Sequence, residues 1–300
     1  MTMKNLLTLF FAVVLASCDN NKNQETDYIT YINYDNLADN NSFQNTTEVD
    51  SLYDIKHDHI IHFTIEIDSI KYYVVEGDLL MTEYEYSQYK LASLIQIDTI
   101  KETEKLVGEI RDNKVVRWPE NFVIKYCIAK NTFPSIEQYN LVKKSISKAT
   151  KEWEQTCNVK FKHEEQKDGS GILTPDASLT FVVVGFNSNG RFIASAFFPY
   201  EPASRKRLLI DPTYFTSNFD KVGVLRHELG HAIGFRHEHI RSNAPLVCQG
   251  EDLTGTINLT QYDPKSVMHY FCGGMGNIKL EITEIDKNGS QSVYGKPTNN

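Results

Sequence analysis

The segment His227-Glu228-Leu229-Gly230-His231-Ala232-Ile233-Gly234-Phe235-Arg236-His237 constrains this chain more than any other, because its spacing fixes a local conformation and a chemistry together. Residues four apart share a helix face, so His227 and His231 point the same way from one helix while Glu228 leans over the same spot. Two imidazoles leave a metal under-coordinated. His237 supplies the third if the helix stops and the chain folds back, and Gly234 permits that stop because glycine adopts positive φ without strain. Three protein ligands, with a fourth position left to water, describe a catalytic zinc site. A chance His-Glu-x-x-His on an ordinary amphipathic helix would need neither the glycine nor the third histidine.

The longer spacing, followed downstream by Tyr262-Asp263-Pro264-Lys265-Ser266-Val267-Met268-His269-Tyr270, resembles the metzincin zinc metalloproteases. The run His237-Glu238-His239-Ile240-Arg241-Ser242 and the Ser266-to-Tyr270 segment are similar to the astacin-like branch. The closing stretch, Thr283-Glu284-Ile285-Asp286 to Val293-Tyr294-Gly295, is similar to matrixin-like bacterial members. The resemblance implies an α+β, zincin-like catalytic domain: a twisted mixed sheet with long helices, an active-site helix and a Met-turn. It also implies one Zn2+ per chain on His227, His231 and His237, with Met268 as the floor beneath the ion and Tyr270 as a mobile phenol that can ligate it at rest and stabilise the oxyanion during turnover. Apart from the resemblance, Met268 and Tyr270 read as packing residues. Glu238 matches a residue that ties down the new N-terminus in astacins; a surface glutamate is the plain alternative. Asn243-Ala244-Pro245 departs from the charged run usual in that branch, so its cleft details do not carry over.

Zinc on neutral imidazoles lowers the pKa of its water to roughly 7, which makes a hydroxide nucleophile available at neutral pH. Glu228 is then the general base and Tyr270 a donor to the carbonyl oxygen as charge develops there. The expected activity is hydrolysis of internal peptide bonds in protein or peptide substrates. The competing reading is a zinc-stabilised surface binding protein without turnover, which has no need of Glu228 or Tyr270.

Upstream, residues 1–17 carry one early positive charge, Lys4, and a short apolar run from Leu6 to Ala16, which is a secretory signal and too short for a membrane span. Leu15-Ala16-Ser17-Cys18 resembles a bacterial lipobox, which implies acylation of Cys18 and an exported lipoprotein of the cell envelope or surface; ordinary secretion is the alternative. Residues 18–54, rich in Asn, Asp, Thr and Gln, read as a tether. Residues 55–112 read as a propeptide-like region that starts with an alternating strand, Ile61 to Ile67. His57, His59 and His62 near it read as solvated. Val74-Val75-Glu76-Gly77-Asp78-Leu79 resembles the Gly-Asp latch of astacin propeptides, in which the aspartate takes zinc's open position; a plain turn is the alternative.

The catalytic domain, 113–300, is expected to open near Arg117-Trp118-Pro119, with Arg111, Lys114 and Arg117 offering cleavage points for an activating protease. Strands are expected at Val123 to Ile128, Leu179 to Val184, Phe192 to Phe198 and Arg207 to Ile210. An amphipathic helix is expected from Ser135 to Gln155 and the zinc helix from near Asp220. The metzincin resemblance implies an outer strand that pairs with substrate backbone, and Ala194-Ser195-Ala196 is the candidate for that edge; an ordinary protected edge strand is the alternative. Cys127, Cys157, Cys248 and Cys272 allow three pairings; Cys248 with Cys272 and Cys127 with Cys157 is the favoured one, and buried free thiols are the alternative. A net charge of -8 argues against nucleic acid as a partner.

Overall fold

The computed structural model describes residues 63–94, 106–111, 114–240, 256–270 and 275–298. The signal segment, Cys18, the tether, His57, His59, His62, Cys248 and Cys272 lie outside the described residues. The elements, in chain order, are β1 (Phe63–Ile67), β2 (Ile70–Val75), β3 (Leu79–Thr82), α1 (Glu83–Leu94), β4 (Val107–Arg111), β5 (Lys114–Val115), β6 (Val123–Ile128), α2 (Ile136–Thr156), β7 (Lys160–His163), β8 (Phe181–Gly185), β9 (Ala194–Ser195), β10 (Arg207–Ile210), α3 (Thr213–Thr216), α4 (Lys221–Ala232), β11 (Thr256–Asn258) and α5 (Glu284–Tyr294). Helices and strands combine as a mixed α+β architecture.

A five-stranded sheet in the order β7-β6-β8-β10-β9 organises the catalytic part. Its first four members are parallel, and only β9 runs antiparallel, at the edge. One face packs on α2 and α4. Ser135 caps α2 by accepting from the Gln138 N–H at 3.2 Å, and the stripe Tyr139, Val142, Ile146, Ala149 and Trp153 is buried. Trp153 is fully buried and its indole N–H donates to the Arg226 carbonyl at 2.8 Å, which ties α2 to α4.

The apolar run of β8 has a structural reason. Phe181 and Val183 face the helices, whereas Val182 and Val184 face a second layer made by the N-terminal region, so all four side chains are buried. That layer is an antiparallel three-stranded sheet, β1-β2-β3, whose Ile67, Tyr72 and Val74 pack on Val182, Val184 and Leu209. Arg205 fastens it with bonds to Glu85 at 2.7 Å and to the Leu80 carbonyl at 2.8 Å, and Arg207 reaches Asp68 at 2.6 Å.

Two expectations change in detail. Of Phe192 to Phe198 only Ala194–Ser195 is strand, since pairing with β10 is limited to those two residues. Cys127 and Cys157 are both free and buried, so the link between them is not formed: Cys127 lies with the outer-face cluster and Cys157 with the helix-side cluster, on opposite faces of the sheet. Burial pushes the Cys127 thiol up to about 11 and the Cys157 thiol up to about 12, so both behave as inert apolar groups.

The boundary expected between 112 and 113 falls between two paired strands. A third sheet, in the order β11-β4-β5, contains them, and β4 also bridges the segment after α4 through Gly108 and Phe235. Leu106, just before β4, is 1% exposed and belongs to the helix-side core; a Cβ on Gly289 of α5 would lie 2.5 Å from its own.

Candidate active site

Helix α4 starts where Asp220 accepts from the Gly223 N–H at 2.7 Å and presents His227, Glu228 and His231 on its inner side. It ends at Gly234, whose φ is 98°; a Cβ there would collide with the Val116 carbonyl, so only glycine fits this turn. Two carbonyls at the helix end are taken by the Trp118 indole, which bonds Ala232 at 2.8 Å, and by the Tyr294 hydroxyl, which bonds Ile233 at 2.7 Å. The chain then returns His237 to face the helix.

The three imidazoles converge. The Nε2 atoms of His227 and His231 each lie 3.2 Å from Nε2 of His237. Tetrahedral bonds of about 2.05 Å from zinc to nitrogen place ligand atoms roughly 3.3 Å apart, so the spacing suits that ion. Every outward nitrogen has an acceptor: His227 Nδ1 faces the Val267 carbonyl at 2.8 Å, His231 Nδ1 the Phe235 carbonyl at 2.7 Å, and His237 Nδ1 a Glu76 carboxylate oxygen at 3.1 Å. These partners hold the Nδ1–H tautomer and turn three lone pairs inward, an arrangement that needs a cation between them. Burial pushes His231 down to about 4, with Asp78 acting against that, so its ring is neutral at neutral pH, as a ligand must be.

Asp78 completes the group. Its carboxylate oxygens lie 3.3 Å from His227 Nε2 and 3.3 Å from His237 Nε2, and the four residues form one buried cluster able to hold a metal ion. Burial alone would raise its pKa; the imidazole of His237, with His227 and His231 facing the same carboxylate, brings it well below the usual range. Glu228 behaves oppositely. Burial first and the nearby Asp78 charge second hold it well above the usual range, against a bond from the Ala196 N–H. Its Oε2 has no hydrogen-bond partner.

Met268 lies fully buried under the helix, where any Cβ on Gly230 would strike its sulfur. The turn is fixed from beneath by Asp286, which accepts from the Ser266 hydroxyl at 2.5 Å and the Val267 N–H at 2.9 Å. Tyr270 lies tilted over the site, 4.4 Å between ring centroids from His237, and its hydroxyl donates to the Glu76 carbonyl. A Cβ on Gly77 would sit 2.8 Å from that hydroxyl. Glu238 accepts from the Asp263 N–H at 2.9 Å.

The geometry therefore brings together His227, Glu228, His231, His237, Met268, Tyr270 and Asp78 from three distant segments. Several residues escaped the sequence reading. Arg236 pairs with Glu76 and, at 3.0 Å, with Glu109, all three buried. Asp286 and Ala196 act on Met268 and Glu228. Arg236 stood inside the ligand motif and Glu76 beside the Gly-Asp pair, but a lone charged residue in sequence reads as solvated.

A three-histidine, one-glutamate centre on a helix that ends at a glycine turn above a methionine defines a zinc metallopeptidase-type site. The matrixin family model (Peptidase_M10) matches residues 117–249. The chain is 26% identical over 199 residues to zinc metalloproteinase nas-25 of Caenorhabditis elegans, covering 61% of this chain and 44% of that protein. It is 33% identical over 75 residues to the dorsal-ventral patterning protein tolloid of Drosophila melanogaster, covering 20% of this chain and 7% of that one. The chain thus spans less than half the length of the curated relatives it matches. Among solved structures it is similar to high choriolytic enzyme 1, a hatching-enzyme zinc-protease from Oryzias latipes (medaka fish), at TM-score 0.37 and 16% identity, covering 60% of this chain and 95% of that one. Over residues 117–249 the chain resembles the metzincin zinc metalloproteases.

Proposed function

We propose that the chain is a zinc-dependent endopeptidase, made as a latent precursor and tethered through lipid on Cys18. The observation that carries the reading is the convergence of three imidazole Nε2 atoms beside the Glu228 carboxylate, with Asp78 in the remaining direction. Zinc held by His227, His231 and His237 supplies Lewis acidity, bringing the pKa of water to roughly 7 and polarising a carbonyl.

The chain's own groups do the rest. Glu228, steadied by the Ala196 N–H on one side and with Oε2 unengaged, accepts a proton from the attacking water and passes it to the leaving amine, a contribution of about 10² to 10⁴ in rate. Tyr270, once its hydroxyl leaves the Glu76 carbonyl, donates to the oxygen on which charge develops. Strand β9 lies at the sheet edge beside Ala196, and its free side suits an extended substrate backbone. Latency is supported by Asp78, whose carboxylate stands where a substrate oxygen would have to enter. The tether rests on Leu15-Ala16-Ser17-Cys18 and places the protein at the cell envelope or surface.

Three whole-chain proteins test this: the parent, Asp78→Ala, and Asp78→Ala with Glu228→Ala. Each is expected to carry one zinc; the parent is silent on casein, the single variant cuts without processing, and the double variant does not. A silent Asp78→Ala chain removes the latch, and a cutting double variant removes Glu228 as base. Palmitate labelling that survives Cys18→Ala would discard the tether.

A further inference from the structure

The loop that carries the third ligand is gripped by a strand from the N-terminal side of the catalytic core. The Glu109 N–H donates to the Gly234 carbonyl at 2.9 Å and the Arg236 N–H to the Val107 carbonyl at 2.9 Å, so β4 pairs with the residues between α4 and His237 as though they were a strand. The side chains repeat the grip. The Arg236 guanidinium, 4% exposed as a residue, lies between two buried acidic groups: Glu76 of the β2–β3 turn and Glu109 of β4, whose carboxyl is pushed up to about 8 by burial, against the nearby Arg111. Glu76 also accepts from His237 Nδ1.

These two glutamates differ in origin. Glu76 sits on the same turn as Asp78, two residues away, and leaves the centre whenever Asp78 does. Glu109 sits on a strand packed into the catalytic core, between β5 and β11, with Leu106 and Val107 buried beneath α5 and the β11 segment. Arg236 cannot shed its charge, and a buried guanidinium left without an acidic partner is strongly disfavoured. We propose that Glu109 is a positioning residue of the active enzyme: it holds Arg236, and through it His237, after the Glu76–Asp78 turn has withdrawn. The removable part of the chain accordingly ends before Leu106, and a cut at Arg111, Lys114 or Arg117 would divide the device from the domain that it serves. This rests on the zinc reading above.

The test is a double-mutant cycle in the whole chain: parent, Glu76→Gln, Glu109→Gln and both, each loaded with zinc or with cobalt(II). Release of zinc to excess chelator and the visible absorption of the cobalt form are recorded, with thermal unfolding alongside and Lys114→Gln as a control on β5. Outer partners of metal-binding histidines typically govern affinity by 10- to 100-fold. Glu109→Gln is expected to speed release only a few-fold while Glu76 remains, at least tenfold in the Glu76→Gln background, and to shift the cobalt bands there. A double variant that is folded, releases zinc no faster than Glu76→Gln and keeps its cobalt spectrum overturns the proposal. If Glu109→Gln does not fold, Arg236→Lys in the Glu76→Gln background decides by the same two readouts, since lysine keeps the charge and loses the fork. An active natural form that begins at or beyond Asp112 overturns it equally. A parent chain that takes up neither metal overturns the zinc reading instead.

Discussion

His231 and Glu228 lie in the same buried pocket and are driven in opposite directions by it. Burial favours the neutral form of each, which leaves the imidazole ready to ligate and the carboxyl holding its proton more firmly than a surface glutamate. Their substitutions should separate cleanly. His231→Ala is expected to weaken zinc binding at least about a hundredfold, more than loss of an outer partner does, and chelator competition measures it. Tyr270→Phe should keep zinc, since its hydroxyl is no part of the imidazole cluster, while peptide hydrolysis by the unlatched chain falls about 10²-fold; stopped-time casein assays would show it. At this scale the sequence was legible wherever the chemistry was local. His227, Glu228, His231, Gly234 and His237 are neighbours in the chain, so their spacing alone carried the geometry. Asp78 sits 149 residues from His227 and was legible only through resemblance, and Glu109 not at all.

Elements whose partners are encoded by periodicity match expectation closely. β6 spans Val123–Ile128 and β10 Arg207–Ile210 as read, and α2 runs Ile136–Thr156 against an expected Ser135 to Gln155. β4 defeated the reading because its five residues carry no repeat, and because two of its three partners, a turn and β11, lie more than a hundred residues later. Helix α5 acts beyond its own length. Thr283 and Asp286 form a capping box at its start, and the same Asp286 carboxylate holds the Met-turn through Ser266 and Val267. Asp286→Ala would strand those donors in the core, and a loss of about 3 kcal/mol is expected in urea unfolding. Burial pushes this carboxyl up to about 6, from an ordinary 3.8, against the bonds that favour its charge. Between those values the folded state binds more protons than the unfolded one. Asp286 therefore contributes stability that is present below pH 4 and lost as pH rises through 6. Unfolding midpoints of parent and Asp286→Asn across pH 4 to 7 should show that falling contribution in the parent alone; parallel profiles would refute it.

Among the described residues, the N-terminal sheet and the outer face of the catalytic sheet share one core. Tyr72, Val74 and Ile67 are buried only because Val182, Val184 and Leu209 lie opposite. Arg205 is the fastening between them, and its side chain also meets Glu201 at 3.1 Å. Arg205→Ala would leave Glu85 and Glu201 facing each other without a cation, and a stability loss of about 3 kcal/mol follows. On the latch reading, the same substitution should raise basal cleavage by the unprocessed chain; an unchanged basal rate with reduced stability would mean that the turn carrying Asp78 is held independently of the layer behind it.

The order of the layers along the chain has a consequence for how the protein is made. A ribosome delivers Asp78 before His227, by an interval on the order of ten seconds at ordinary elongation rates. On the latch reading, the turn that carries Asp78 precedes the helix carrying the histidines along the chain, and the strands behind that turn bury Ile67, Tyr72 and Val74 against the catalytic sheet. If Asp78 is the latch, folding of the catalytic part and closure of its centre become one event, with no period in which a finished centre stands open to its neighbours.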